Sequence, residues 1–167
     1  MTKIVSRRYW DSSVFLAWLK NEEGNADKCG GVVKLAEQGK VTIITSALAL
    51  AEVIKLKGKT KILKKDEKLI SKFFENEYIA VRSVDRIIAE SARHLVWQYN
   101  IDPKDSIHIA TAFNLNLTVF DTFDGNLMKH TLKLGNKKLR IGKPDIPEQT
   151  ALKLITQPQP DIDEETK

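Results

Sequence analysis

Short apolar runs rich in β-branched residues alternate along this chain with longer segments of helical periodicity, and this alternation leaves few possible folds. Strands are predicted at Ile4–Trp10, Val41–Thr45, Tyr78–Val81, Leu117–Phe120 and, as a last edge strand, Leu139–Ile141. Helices are predicted at Ser13–Lys20, Ala26–Glu37, Ser46–Leu56, Lys64–Glu75, Val84–Asn100 and Asp102–Asn114. Strands that alternate with helices form parallel sheets covered on both faces. The predicted fold class is therefore α/β, with a mostly parallel central sheet.

The length of 167 residues fits one domain with a short extension. We predict that residues 1–145 form the domain and residues 146–167 a C-terminal extension. The extension ends in a Gln- and Pro-containing stretch followed by acidic residues, which predicts a disordered tail because almost nothing there can be buried. A hydrophobic content of 42% with 29% charged residues excludes disorder of the whole chain.

Three features predict the compartment. The longest apolar runs cover only about half of a bilayer span, so no transmembrane helix is expected. The N-terminus lacks the apolar core of a signal peptide. Cys29 is the single cysteine, which excludes an internal disulfide. A cytoplasmic protein is therefore predicted, and its net charge of +5 permits a nucleic-acid partner without requiring one.

Three aspartates follow predicted strands. Asp11 follows the first strand, and Asp121 and Asp124 follow the strand at Leu117–Phe120. Because ligands of open parallel sheets bind beyond the carboxyl ends of the strands, we expect these side chains to meet at one edge. Helix capping is the alternative interpretation of Asp11, and a cap or a turn that of Asp121.

Two further carboxylates lie on predicted helices. Glu52 has apolar residues at positions i−4, i−3 and i+4, so its carboxylate is expected to be paired, neutralised or bound to a metal. A surface pair with Lys55 is the alternative. Asp105 lies in the first turn of its helix, where an acid is also favoured simply by the helix dipole.

Acidic side chains that converge repel one another unless a cation lies between them. Mg²⁺ and Mn²⁺ prefer such oxygen ligands, whereas one cysteine and three dispersed histidines argue against zinc. A cation held by carboxylates polarises a phosphoryl oxygen and produces hydroxide at neutral pH. Phosphodiester hydrolysis is the chemistry that this pattern predicts.

Four stretches resemble the PIN-domain ribonucleases, and most closely the toxins of VapBC toxin–antitoxin modules. They occur in the family's order and spacing, and the resemblance extends from Ile4 to Pro144. The stretches are Tyr9–Ser13, Ser46–Val53, Lys104–Ala112 and Thr122–Asp124.

The resemblance implies a three-layer α/β/α sandwich whose acidic pocket binds Mg²⁺ or Mn²⁺ and cleaves RNA. The catalytic and metal-binding residues that it implies are Asp11, Glu52, Asp105 and Asp124. Supporting positions are Thr122 and Ser13, with Ser12 a poorer match than Ser13. Asp121 is an addition to the family pattern, either an outer ligand or a turn residue.

The resemblance also implies partners: a cognate antitoxin, expected to bring a basic residue into the pocket, and a second copy of the chain. The predicted helix Ser13–Lys20 is apolar on nearly all sides. One side is expected to pack on the sheet, which predicts that apolar surface on the other side is available for a homodimer. Contacts to the RNA backbone are predicted at Lys55, Lys57, Lys59 and Lys61, a solvated lysine-rich surface being the alternative. No ligand role is predicted for any histidine.

Two further points stay open in the sequence. An RNA-binding PIN-like module without useful catalysis is the alternative function. Crowding is expected to raise the pKa of the acidic residues, so that Glu52→Gln would stabilise the metal-free fold near neutral pH.

Overall fold

The computed structural model describes residues 5–55, 60–130, 132–134 and 137–146. The strands are β1 (Ser6–Trp10), β2 (Val41–Ser46), β3 (Ile79–Arg82), β4 (Val119–Asp121), β5 (Leu132–Leu134) and β6 (Lys137–Gly142). The helices are α1 (Ser12–Leu19), α2 (Ala26–Glu37), α3 (Leu48–Glu52), α4 (Glu67–Phe74), α5 (Arg86–Tyr99), α6 (Pro103–Asn114) and α7 (Gly125–Met128). A 3-10 turn at Lys64–Asp66 precedes α4.

The sheet has the strand order β3-β2-β1-β4-β6-β5. The first five strands in this order pair in parallel, and β5 pairs antiparallel with β6. The predicted parallel sheet is confirmed, but the prediction that Leu139–Ile141 is an edge strand is wrong. β6 lies between β4 and β5, because the three-residue β5 folds back on it and takes the edge position.

Two hydrophobic clusters cover opposite faces of the sheet, because neighbouring side chains of a strand point to opposite faces. Trp10 and Ile43 belong to the cluster formed with α1 and α2, whereas Tyr9 and Ile44 belong to the cluster formed with α5 and α6. The predicted three-layer α/β/α sandwich is confirmed. β1 lies in the middle of the sheet, and its last three residues, Arg8, Tyr9 and Trp10, are buried although they alternate between the two faces.

The third helix is shorter than predicted. α3 ends at Glu52, and Val53 leaves the helix with its side chain fully buried. Burial of Val53 therefore outweighs the helical pattern that continues towards residue 56. The predicted cap, Ser46, is the last residue of β2, and its Oγ accepts a hydrogen bond from Leu48 N at 3.1 Å.

The first helix leaves far less apolar surface than the sequence predicts. Val14, Phe15 and Leu16 are all at most 4% exposed, and Trp18 and Leu19 pack partly buried against the same cluster. The aromatic rings of α4 cover Phe15 from outside, with ring centroids 4.8 and 6.2 Å away. The argument for a dimer through α1 is therefore wrong.

The end of the described chain is attached to the domain. Asp145 forms an ion pair with Arg140 at 2.8 Å and a longer one with Arg8 at 3.4 Å. Ile146 packs against the cluster around α1 and α2, within 3.1 Å of where a Cβ on Gly31 would lie. The predicted acidic tail lies in residues 147–167, outside the described residues. Within the described ranges, no helix is long and apolar enough to cross a membrane.

Candidate active site

Asp11 lies at the carboxyl end of β1 and is 5% exposed. It caps α1, since its Oδ1 accepts hydrogen bonds from the backbone N of Ser13 at 3.0 Å and of Val14 at 3.3 Å. The hydroxyls of Ser13 and Thr122 each donate to its carboxylate at 2.5 Å, to Oδ1 and Oδ2 respectively. Asp11 therefore both caps α1 and belongs to a polar site.

The same two hydroxyls connect the start of α1 to the loop after β4. Ser13 Oγ accepts a hydrogen bond from Phe123 N, and Thr122 Oγ1 accepts one from Asp124 N, both at 2.9 Å. Asp124 in turn caps α7, since its Oδ1 accepts from Asn126 N at 2.8 Å. These bonds hold the loop that carries Asp124 beside the end of β1.

Asp105 does not cap its helix. Asp102 is the cap of α6 and accepts from Lys104 N at 2.9 Å, which leaves Asp105 one turn into the helix. The half-buried Asp105 carboxylate accepts no hydrogen bond from the residues that the structure describes. Burial, followed by the charges of Asp11 and Asp124, raises the pKa of Asp105 to about 6. Three aspartates therefore share one electrostatic environment.

Glu52, the last residue of α3, has a different environment. Its side chain is 12% exposed, and its Oε2 accepts hydrogen bonds from Ser12 Oγ at 2.6 Å and His108 Nε2 at 2.7 Å. Burial acts to raise the pKa of Glu52, but the hydrogen bonds from His108 and Ser12 outweigh it, so the pKa lies below its usual value. The expectation of a raised pKa is wrong for this carboxylate, and its polar partners do not include the Lys55 side chain.

Asp121 is not brought together with the other acids. Arg8 donates to both of its carboxylate oxygens at 2.7 Å, and Trp10 Nε1 donates to Oδ2 at 3.1 Å. The reason is strand alternation: Asp121 pairs in register with Trp10 and shares its face of the sheet, under α1 and α2. An outer ligand or turn residue was expected here, and the structure has a buried ion pair instead.

Three residues that the sequence analysis did not assign are prominent in the structure. Ser12 and His108 contact Glu52, and Arg8 pairs with Asp121. His108 follows Asp105 by three residues on α6, so helical spacing already puts the two on one side of that helix. The family resemblance offered Ser12 as the poorer match for a supporting position, without its contact to Glu52. No signal identifies Arg8, because its partner is distant in the chain.

The lysine-rich stretch is only partly described. Lys55 and Lys61 are exposed, and Lys57 and Lys59 lie outside the described residues. Lys20, at the end of α1, donates to Thr60 O at 3.0 Å and connects that helix to the segment beginning at residue 60.

The donor set fits a hard divalent cation in charge and chemistry. The charges of Asp11 and Asp124 act on the Asp105 carboxylate, and all three side chains offer oxygen ligands only. In the described part of the chain, no three Asp, Glu, His or Cys side chains come together as a group that could hold a metal ion. Mg²⁺ does not require three such ligands, because it keeps several waters and binds through one or two carboxylates.

The fold and this edge define an α/β/α domain with an acidic site at the carboxyl ends of its central strands. The family model described as "PIN domain" matches residues 8–131, and the chain belongs to that family. No curated protein matches the sequence.

Two of three similar solved structures, from Mycobacterium tuberculosis and Pyrobaculum aerophilum, share the fold at low sequence identity. VapC20 of Mycobacterium tuberculosis, described as a sarcin-ricin loop cleaving toxin, is 14% identical with a TM-score of 0.58, covering 72% of this chain and 92% of its own. PAE2754 of Pyrobaculum aerophilum is 15% identical with a TM-score of 0.53, covering 92% of this chain and 91% of its own. A toxin–antitoxin complex from Klebsiella pneumoniae is 18% identical with a TM-score of 0.49, covering 70% of this chain and 86% of its own.

Proposed function

We propose that this protein is a metal-dependent endoribonuclease that hydrolyses RNA phosphodiester bonds with Mg²⁺ or Mn²⁺. The observation that carries the proposal is the half-buried Asp105 carboxylate, which accepts no hydrogen bond from the described residues. Burial, followed by the charges of Asp11 and Asp124, raises the pKa of Asp105 to about 6. No described cationic side chain forms an ion pair with any of the three aspartates, so their charges are available to a bound cation. Together with Glu52, these residues are the proposed metal-binding and catalytic set.

The residues of the chain have distinct tasks in this proposal. Ser13 and Thr122 donate to Asp11 and so orient its carboxylate at the end of β1. Burial raises the pKa of Asp11, and these two hydrogen bonds act against that rise. Asp105 has no hydrogen bond to give up when it binds a cation, and Asp124 has one carboxylate oxygen engaged in capping. The cation supplies polarisation of a phosphoryl oxygen and makes an attacking water acidic.

We further propose that the protein is the toxin of a type II toxin–antitoxin pair in the cytoplasm. This part rests on the PIN family and on the description of VapC20 as a toxin. The antitoxin is expected to insert an arginine, since a guanidinium neutralises two carboxylates without metal. Exposed Lys55 and Lys61, with Lys57 and Lys59 between them in sequence, are the proposed contacts to the RNA backbone.

The test compares the purified wild type with Asp11→Asn on single-stranded and structured RNA, with Mn²⁺ and with EDTA. We expect the wild type to cleave only with Mn²⁺ and Asp11→Asn to lose cleavage by at least about 10²-fold, since the substitution removes a charge from the site. Asp85→Asn is the matched control. Asp85 is outside the proposed metal-binding set and caps α5 through Ile88 N at 2.9 Å, and Asn caps equally well.

The outcomes separate the two parts of the proposal. RNA binding without cleavage under any divalent metal would establish the alternative, a PIN-like RNA-binding module. Cleavage without growth arrest on expression, or growth arrest that no neighbouring gene product relieves, would leave a ribonuclease that is not a toxin.

A further inference from the structure

A chain of hydrogen bonds leads from the sheet to Glu52 through a buried histidine. Ser46 N donates to Tyr9 Oη at 3.0 Å, and Tyr9 Oη lies 2.7 Å from His108 Nδ1. The other ring nitrogen, His108 Nε2, lies 2.7 Å from Glu52 Oε2. His108 is 2% exposed and Tyr9 is fully buried, so water does not compete for these bonds.

The protons of this chain can be assigned from its two ends. An ionised carboxylate only accepts, so His108 Nε2 carries the hydrogen that it shares with Glu52. In a neutral imidazole the other nitrogen, Nδ1, is then an acceptor, so the Tyr9 hydroxyl donates to Nδ1 while its oxygen accepts from Ser46 N. The imidazole is therefore assigned as the Nε2–H tautomer, held from behind by the tyrosine hydroxyl.

Glu52 depends on these tertiary contacts for its position. α3 has only five residues, and Glu52 is its last, at the helix end where carbonyl groups disfavour a negative charge. Ser12 and His108 donate to it from α1 and α6. Because His108 also lies one turn after Asp105, the same histidine connects the two helices that carry these acidic residues.

We propose that His108 is a positioning residue of the site: by donating from Nε2 to Oε2, it holds the Glu52 carboxylate in the orientation in which its other oxygen can bind the divalent cation. This inference rests on the proposed function. Oε1 of Glu52 accepts no hydrogen bond from the described residues, so it is the oxygen left for that role. Hydrogen bonding of a metal-ligating carboxylate by a second residue is a general way to tune affinity.

The experiment compares His108→Gln with His108→Met. The two side chains have nearly the same length and shape, but only Gln has an N–H to donate to Glu52. Readouts are the Mn²⁺ dissociation constant by calorimetry without RNA, kcat and KM for RNA cleavage, and melting temperature in EDTA. His94→Gln, at an exposed position of α5, is the matched control.

We expect His108→Met to weaken Mn²⁺ binding and lower kcat by about 10- to 100-fold with KM unchanged, and His108→Gln to restore most of both. Equal losses in the Gln and Met variants, or Mn²⁺ binding unchanged in both, would overturn the inference. If neither variant folds, Tyr9→Phe takes their place, and unchanged Mn²⁺ binding in that variant also overturns it. Long-range ¹⁵N spectra of the wild type must show the Nε2–H tautomer, and the Nδ1–H form refutes the assignment.

The wild-type arm separates this inference from the proposed function. A wild type that neither binds Mn²⁺ nor cleaves RNA overturns both. A wild type that binds and cleaves, with an equally active His108→Met, overturns the role of His108 alone.

Discussion

At the scale of single residues, carboxylates that look alike in sequence differ in their environment. Asp105 has no described hydrogen-bond donor, and burial, followed by the charges of Asp11 and Asp124, raises its pKa to about 6. Glu52 has two buried donors, Ser12 and His108, and its pKa is lowered. In the metal-free protein near neutral pH, the ionised Asp105 side chain is therefore expected to destabilise the fold, and the ionised Glu52 side chain to stabilise it.

The two carboxamide substitutions are expected to act in opposite directions. Asp105 has a folded-state pKa above its unfolded value, so its contribution to stability is present at pH below about 4 and is lost as pH rises through about 6. Asp105→Asn should therefore raise the melting temperature in EDTA at pH 7. Glu52 contributes stability above its unfolded pKa, so Glu52→Gln should lower the melting temperature at pH 7.

Thermal melts in EDTA at pH 4 and pH 7 check this pair of variants. The gain from Asp105→Asn should disappear at pH 4, and the loss from Glu52→Gln should shrink there. If both substitutions shift the melting temperature in the same direction at pH 7, the charges do not determine stability at this site.

At the scale of elements, an ion pair connects the two central strands. Arg8 on β1 is 7% exposed, and its guanidinium makes two 2.7 Å contacts to Asp121 on the neighbouring β4. Burial acts to lower the pKa of Arg8, but the hydrogen bonds and charge of Asp121 outweigh it, so the guanidinium stays protonated. Asp145 adds a weaker contact at 3.4 Å from the end of the described chain.

Removal of one partner should be costly, because it leaves a buried charge without its counterpart. We expect Asp121→Asn to lower the free energy of unfolding by about 3 kcal/mol. Asp145→Asn is the control: the Asp145 side chain is 58% exposed, and a pair of that kind contributes at most about 1 kcal/mol. Urea unfolding measures both, and equal losses would contradict the assigned importance of the buried pair.

At the scale of the whole molecule, the apolar surface lies away from α1. The largest exposed side chain is Trp97, 74% exposed on α5, where Arg93 lies 5.4 Å from the ring centroid. Ile87 on the same helix is 65% exposed, and Leu69 on α4 is 61% exposed. Any homodimer therefore has to use surfaces that the sequence analysis did not single out.

We expect a dimer in solution, with twice the chain mass of 18.9 kDa by light scattering at micromolar concentration. Trp97→Glu should convert it to a monomer, because tryptophans in interface cores carry much of the binding energy. Leu69→Glu is the matched control and should remain dimeric. A wild type with the mass of one chain contradicts the proposed dimer, and a monomer from Leu69→Glu instead moves the interface to α4.

The sequence by itself determined the order of elements and the layers of the fold. Alternation of strand and helix patterns is a local property, and parallel pairing follows from it, so the sheet and the helical layers could be predicted. The positions after strands predicted that Asp11, Asp121 and Asp124 meet at one edge, which is wrong for Asp121, because it pairs with Arg8. Asp105 joined the set only through the family resemblance. The catalytic roles of the proposed metal-binding set stay predictions.

Only the tertiary structure decided which polar groups meet. Asp121 follows a strand as Asp11 does, yet register with Trp10 turns it to the other face, where Arg8 lies 113 residues away in the chain. His108 contacts Glu52 across 56 residues. The periodicity of apolar residues predicts which face of a helix or strand a residue occupies. It does not predict which other element packs against that face, because long-range contacts arise from the packing of whole elements.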